Sequence, residues 1–410
     1  MTERVLLVGV ESPENFKHFE ESMIELKNLV KTAHGEVVME VTQKLPAINR
    51  QTIVGKGKLE EIQQLVDAHE IDLVIFNHEL TPRQGRNIEA EVGVRVLDRV
   101  QLILDIFALR ARSKEGQLQV ELAQMSYMLP RLVGSNDALS RLGGGIGTRG
   151  PGETKLETDR RHIRDTIANI RRELKEVAAH RERNRQKRKN SNVFQIGLIG
   201  YTNAGKSTLL NLLTNAGTYS KDELFATLDP LTKKWKLNDS MGVTVTDTVG
   251  FIQDLPTQLI EAFQSTLEES RGMDLLLHVV DASSEDRHLQ EQTVMELMKD
   301  LEMDSIPVLT VYNKMDLVED HLFAPTLFPS CQISANEPNS IAIIEQAIIE
   351  QLKVIFTPYQ LELTPAQGKE LVELAQQTLL LSQEYDETTG NYLVSGYASK
   401  DSKWGKKEEE

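Results

Sequence analysis

Short apolar runs alternate with stretches of helical period through the first 110 or so residues of this 410-residue chain. Val5 to Val8, Val37 to Val41, Leu73 to Phe76 and Val94 to Leu97 each read as a buried strand. Between them, apolar positions recur every three or four residues, so the pattern predicts an α/β layer on a mostly parallel sheet. Thr81-Pro82 reads as a helix cap followed by proline at the first helical position. Gly55-Lys56-Gly57-Lys58, ahead of a helix over Leu59 to Val66, is either a solvated turn or a holder of an RNA phosphate or second nucleotide.

The period then changes. Leu118, Leu122, Met125, Leu129 and Leu132 are spaced four, three, four, three, and Ile163, Ile167, Ile170, Leu174 and Val177 repeat that spacing. Two such seams bury each other in an antiparallel helical hairpin. Its expected tip, Gly143-Gly144-Gly145-Ile146-Gly147-Thr148-Arg149-Gly150-Pro151-Gly152-Glu153, is too rich in glycine to be helical. With Arg141 and Arg149 at hand and a helix pair beneath, it reads as a reaching loop in preference to a flexible linker. The basic run Arg181 to Lys189 that follows is an exposed linker, an RNA-backbone contact, or both.

Beyond it the apolar strand Phe194 to Ile199 runs into Gly200-Tyr201-Thr202-Asn203-Ala204-Gly205-Lys206-Ser207, a match to G-x-x-x-x-G-K-[ST] placed where a strand turns into a helix. Backbone N–H groups of such a loop close around phosphate oxygens while the helix N-terminus faces them. Lys206 then reaches the β- and γ-phosphates and the Ser207 hydroxyl ligates Mg²⁺. A second strand, Gly242 to Thr246, ends in Asp247-Thr248-Val249-Gly250, which places Asp247 at the Mg²⁺ shell and the Gly250 N–H near the γ-phosphate. A third, Ile306 to Tyr312, delivers Asn313-Lys314-Met315-Asp316. The Asp316 carboxylate accepts from the paired N1–H and N2–H donors of guanine, a discrimination against adenine of roughly 10⁴ or more. Asn313 is expected to tie this loop to the phosphate loop, Lys314 to lie along the nucleotide, and Ser334-Ala335-Asn336 to turn backbone N–H groups toward guanine O6. In Phe225-Ala226-Thr227-Leu228-Asp229, at the place of a mobile switch, Thr227 is the favoured second Mg²⁺ ligand and Thr232 its rival.

Taken in order, these motifs resemble the translation-factor-like class of GTPases. Phe251 stands where many of them place a water-orienting glutamine, so no catalytic side chain is assigned and hydrolysis is expected to be slow until something outside supplies the missing contact. Asn203 occupies a position that coordinates K⁺ in related GTPases, which makes K⁺ a candidate cofactor beside Mg²⁺.

Charge sharpens the picture of the hairpin. The net formal charge is −16, yet between Arg110 and Asn190 there are 19 Lys and Arg against 10 Asp and Glu. A concentrated basic stretch in an acidic chain points to a nucleic-acid contact. No apolar run approaches the ~18 residues that span a bilayer, and the chain opens directly into a strand, so neither a membrane nor a secretory signal is expected. The single cysteine, Cys331, reads as a small core residue in a reducing, cytoplasmic setting. Nine histidines show no zinc-like spacing.

With the hairpin and the nucleotide motifs together, the sequence resembles the HflX family of bacterial GTPases, most specifically through Gly147-Thr148-Arg149-Gly150-Pro151-Gly152-Glu153. Leu231 departs from the threonine expected after Asp-Pro. The resemblance implies a protein that binds GTP and GDP, engages rRNA of the large ribosomal subunit, inserts its tip near the peptidyl transferase centre, and dissociates 70S ribosomes or rescues stalled ones under stress. Arg141, Gly143, Gly144, Gly145, Gly147 and Arg149 become the expected ribosome-contacting residues. An RNA-modification GTPase or a nucleotide-dependent RNA remodeller is the alternative. The expected fold class is α/β: an N-terminal parallel-sheet α/β domain (1–112), an antiparallel helical hairpin with basic linker (113–190), a P-loop GTPase domain (191–356), and a small α+β C-terminal unit with a disordered end (357–410). A helix over Ala366 to Ser382 and a hairpin turning at Thr388-Thr389-Gly390 are expected in the last of these.

Overall fold

Four strands, β1 (Arg4–Glu11), β2 (Glu36–Lys44), β3 (Leu73–Phe76) and β4 (Arg95–Asp98), form a sheet in the order β2-β1-β3-β4, parallel at every pairing. The structure, a computed structural model, describes residues 2–13, 15–132, 151–189, 193–214, 224–225, 227–252, 268–319, 323–400 and 402–405. The central strands are covered on both faces, which is why they read as unbroken apolar runs. On one face Leu6, Val8, Val74 and Phe76 pack with Leu59, Ile62 and Val66 of α2 (Lys56–Ala68) and Ile88 and Val92 of α3 (Pro82–Val92). Helices α1 (Phe19–Thr32) and α4 (Arg99–Arg110) complete the layer. Thr81 caps α3 by accepting the Gln84 N–H at 3.3 Å, with Pro82 in its first turn.

Gly55 is the N-cap of α2, so Lys56, Gly57 and Lys58 form a helical first turn, not a loop ahead of the helix. Lys58 pairs with Glu61 at 2.7 Å and the Gly55 N–H donates to Gln43 Oε1.

The hairpin arms are α5 (Lys114–Arg131) and α6 (Pro151–Lys189), and Lys114 at the start of α5 pairs with Glu173 far along α6. In α6 the deepest seam positions, Ile167 and Ile170, are buried. In α5 the expected seam is only partly so: Leu118 is buried, whereas Leu122, Met125, Leu129 and Leu132 are half-buried. The more buried face carries Gly116, Val120, Ala123 and Tyr127, which packs on the N-terminal layer; small residues there let helices approach closely. Pro151, Gly152 and Glu153, expected in the tip loop, instead open α6, proline being tolerated at the first helical position. The tip residues Arg141, Gly143, Gly144, Gly145, Gly147 and Arg149 lie outside the described residues, as do Ala226 and the Lys406 to Glu410 tail.

Among the described residues the chain forms two units. The first holds residues up to 178 together with 224–225; the second holds the remainder. In the second, a six-stranded sheet runs β10 (Ser330–Gln332), β9 (Val308–Asn313), β8 (Leu275–Asp281), β5 (Phe194–Ile199), β7 (Met241–Asp247), β6 (Leu231–Leu237). Only the β6–β7 pairing is antiparallel. Its helices include α7 (Lys206–Thr214), α8 (Arg287–Asp300) and α9 (Ser340–Ile355). A three-stranded antiparallel sheet, β11 (Thr357–Leu363), β13 (Asn391–Ala398) and β12 (Leu379–Asp386), follows, with α10 (Gly368–Gln377) between its first two strands in sequence. Here the expected helix to Ser382 ends early, because Leu379 onward pairs with β13 and Leu379 itself enters the GTPase core.

Candidate nucleotide site

The phosphate loop is shaped by two glycines that no other residue can replace. At Gly200, φ is +149° and an added Cβ would lie 2.2 Å from Val279 O; at Gly205, φ is +98° and it would lie 2.2 Å from Asn313 Nδ2. Asn203 takes the left-handed conformation as well, with φ +61°, which asparagine tolerates better than most residues. Lys206, the first residue of α7, is buried and folds back into the loop, its Nζ donating to Gly200 O at 3.0 Å and Tyr201 O at 2.7 Å. Burial lowers its pKa to about 8 against the opposing pull of Asp247.

Three oxygens converge beside it. Ser207 Oγ donates to Asp247 Oδ2 at 2.6 Å, Thr227 Oγ1 donates to the same oxygen at 2.8 Å, and the two hydroxyls are 2.9 Å apart. Asp247 is buried, which raises its pKa, while Lys206 and the two hydroxyls work the other way. Its second oxygen, Oδ1, has no hydrogen-bond partner among the described residues. A carboxylate and two hydroxyls make an all-oxygen set suited to a hard divalent cation such as Mg²⁺. Thr232, the rival, is committed elsewhere: it lies on β6 and its hydroxyl bonds Thr246 across the ladder at 2.9 Å.

The segment after β7 is laced to the phosphate loop. The Phe251 N–H donates to Gly200 O at 3.1 Å and the Thr202 N–H to Phe251 O at 2.7 Å, while Thr248 Oγ1 donates to Leu198 O. Val249 and the Phe251 ring are buried, so the ring packs inward. At Gly250 an added Cβ would stand 2.9 Å from Thr202 Cγ2 and 3.0 Å from Lys206 Nζ, so this glycine allows close approach to the lysine.

At the base end, Asn313 joins two loops: its Nδ2 donates to Ala204 O and its Oδ1 accepts the Ala335 N–H, both at 2.9 Å. Lys314, left-handed at φ +62°, pairs with Asp281 at 2.7 Å. Asp316 is exposed within the short turn Met315–Leu317. The Ser334 N–H donates to Ser340 Oγ at 3.2 Å and the Ala335 N–H to Asn313 Oδ1 at 2.9 Å, which leads the chain from this loop into α9. Leu228 is buried and Asp229 half-buried beyond Thr227. Phe225 is instead buried within the first unit, edge-on to Phe107. Two residues escaped the reading of motifs: Asp281, which holds Lys314, and His278, buried on β8 close enough to Lys206 to feel its charge. Cys331 packs against the core, burial pushing its thiol up to about 12.

Three family profiles tile the chain: "GTP-binding GTPase N-terminal" over residues 20–108, "GTP-binding GTPase Middle Region" over 110–188, and "50S ribosome-binding GTPase" over 195–314. GTPase HflX of Alkalihalophilus pseudofirmus is 51% identical over 97% of this chain and 94% of its own. The chain belongs to the HflX family of GTPases. HflX of Escherichia coli K12 is 42% identical over 85% of this chain and 83% of that one. A GTP-binding protein from Sulfolobus solfataricus, solved with GDP, is 26% identical, with 85% of this chain and 98% of that chain covered at a TM-score of 0.45. As an HflX GTPase the protein binds GTP and hydrolyses it to GDP and phosphate. Among the described residues no helix is long and apolar enough to cross a membrane.

Proposed function

We propose that the protein is a GTP-controlled factor of the large ribosomal subunit that dissociates 70S ribosomes or rescues stalled ones, in the cytoplasm and under stress. The observation that carries this reading is the match of the nucleotide domain to a family described as 50S ribosome-binding GTPases, in a chain whose basic charge is gathered in the hairpin before that domain. Arg141, Gly143, Gly144, Gly145, Gly147 and Arg149 would meet rRNA.

In the nucleotide site, Ser207 and Thr227 would ligate Mg²⁺ with Asp247 in its shell; the unpartnered Asp247 Oδ1 supports that fit. The ion supplies charge to neutralise the phosphates as they separate. Lys206, released from the Gly200 and Tyr201 carbonyls, would turn to the β- and γ-phosphates. Asp316 would select guanine and Asn313 would keep the base loop in register with the phosphate loop. A buried phenyl ring at Phe251 can neither donate to nor accept from the attacking water. Turnover is therefore slow in the isolated protein and raised by ribosomes, with K⁺ at Asn203 as a second activating ion. GTP would order the Thr227 and Asp247 segments into the ribosome-binding state and hydrolysis would release them.

Sedimentation with purified ribosomal subunits tests the reading. Co-migration with the large subunit in a non-hydrolysable GTP analogue, weakened by GDP and by salt, is the expected result; no co-migration sinks it. Deleting residues 143–147 is expected to abolish subunit dissociation and spare nucleotide affinity. Equal GTPase rates in Na⁺ and K⁺ buffers would remove the K⁺ assignment.

A further inference from the structure

The exposed Asp316 carboxylate has a buried seat. Met315, inside the short turn Met315–Leu317, and Val318, just after it, pack with Phe323 against a small core of Val280, Ala282 and Tyr312. Tyr312, fully buried on β9, is the largest side chain of that core, and the Phe323 ring meets it with centroids 5.1 Å apart and planes at 71°. The base loop grows out of this residue. Its carbonyl accepts the Ile333 N–H at 2.8 Å, its neighbour Asn313 bridges to the phosphate loop, and Met315 returns to its core.

Polar groups fix Tyr312 in turn. Its Oη accepts the N–H groups of Thr326 and Leu327, both at 3.0 Å, and lies 3.1 Å from Thr326 Oγ1. The Thr326 hydroxyl donates to Glu291 Oε2 of α8 at 2.6 Å. With the threonine hydrogen spent on the carboxylate, the hydrogen between the two hydroxyls is the tyrosine's, so Tyr312 donates to Thr326 and Thr326 to Glu291. Glu291 is buried, and its Oε1 lies 3.7 Å from Arg287 Nε one turn earlier in α8. Arg287 donates to Ala324 O at 3.2 Å and lies over the Phe323 ring at 4.7 Å, which closes the circuit. Hydrogen-bonded chains of this kind rigidify what they hold. Every residue in it belongs to the second unit.

We propose that Tyr312, Thr326 and Glu291 are positioning residues for base selection: their relay fixes the core on which the Asp316 turn sits, an inference that rests on the reading of Asp316 as the guanine acceptor. Accepting from N1–H and N2–H together requires both carboxylate oxygens in line. A tilt of the turn forfeits one of the two bonds. Inosine nucleotides lack the N2 amine and make one bond from the start, so they have less to lose.

The test uses the full chain, with GDP and IDP competing against a fluorescent guanine nucleotide. A hydrogen bond from N2 to a carboxylate is worth roughly ten- to a hundredfold in affinity, so the parent is expected to prefer GDP over IDP by about that factor. Tyr312→Phe keeps the ring and deletes the hydroxyl, and Thr326→Val deletes the link to Glu291 at constant shape. Each is expected to lower the preference about three- to tenfold, within the hundredfold that an ångström of misplacement costs. Glu291→Gln, whose amide oxygen still accepts from Thr326, keeps most of the preference, whereas Glu291→Ala loses it; Thr326→Val serves if Glu291→Ala fails to fold. Both affinities come from one preparation, so a fall in folded fraction cancels from the ratio and a merely structural role leaves it unmoved. In Asp316→Ala the preference collapses, and adding Tyr312→Phe changes the ratio no further. A ratio unchanged in Tyr312→Phe and Thr326→Val, or additive losses in the double variant, overturns the proposal while leaving the Asp316 reading intact. A ratio unchanged in Asp316→Ala removes that reading and the proposal with it.

Discussion

Asp98 and Arg131 meet at 3.1 Å where the end of β4 passes the last turn of α5. The carboxylate is fully buried and bonds to three further groups: it accepts the Leu80 N–H, caps α4 by accepting the Gln101 N–H, and together with burial raises the Tyr127 pKa. Arg131 lies 3.3 Å from the centre of the Tyr127 ring and donates to Leu80 O. Removing one member of a buried ion pair costs about 3–5 kcal/mol. Asp98→Ala is therefore expected to destabilise the protein by about that much in urea unfolding, and Asp98→Asn, which can still cap α4, by less. A midpoint unchanged in both would mean that this network holds nothing.

Lys206 gives nucleotide binding a basic limb. With its pKa lowered to about 8, the free protein loses the lysine charge above that pH, and phosphate binding must take a proton back up. Nucleotide affinity is expected to be flat below pH 8 and to fall as pH rises above it, by up to about tenfold per unit. Calorimetry at pH 8.5 in two buffers of different ionisation heat reads the proton uptake directly; identical heats would contradict it.

His278 gives stability an acidic limb. Burial, helped by Lys206, pushes its pKa down to about 4. The folded protein keeps the ring neutral while the unfolded chain protonates below about pH 6.5, so stability is complete above that pH and is lost as pH falls toward 4. The loss amounts to roughly 3 kcal/mol by the lower end. His278→Asn cannot take up the proton, and its thermal midpoint is expected to vary less between pH 7 and 5 than that of the parent.

In the proposed function, base selection falls to the exposed Asp316 carboxylate. Asp316→Asn exchanges an acceptor pair for a donor and an acceptor, which suits the C2 carbonyl of xanthine. GTP affinity is expected to fall by about a hundredfold or more and XTP affinity to rise, as read by competition against a fluorescent nucleotide. GTP binding unaltered by this change would move guanine recognition to another residue.

The strands of both units were legible because buried parallel strands are apolar on both faces, as Leu6 to Val8 and Leu275 to Val280 show. The phosphate loop was legible because Gly200 and Gly205 answer local demands of the backbone. What depended on distant partners was not. The buried face of α5 runs through Gly116, Val120, Ala123 and Tyr127, of which only two are large, so the leucine spacing beside it was the stronger periodic signal. Leu379 to Ser382 continue a helical period and become a strand because β13 lies alongside. The bond of Thr232 to Thr246 follows from the β6–β7 register, and the partner of Phe225 is 118 residues away at Phe107.

The helix α6 runs without interruption from Pro151 to Lys189. At 1.5 Å per residue, its 39 residues make a rod about 58 Å long. One end begins directly after the glycine-rich tip, and only four residues separate the other from β5, the strand that carries the phosphate loop. A proline placed midway along α6 would remove a backbone hydrogen bond and clash with the preceding turn, breaking that rod in two.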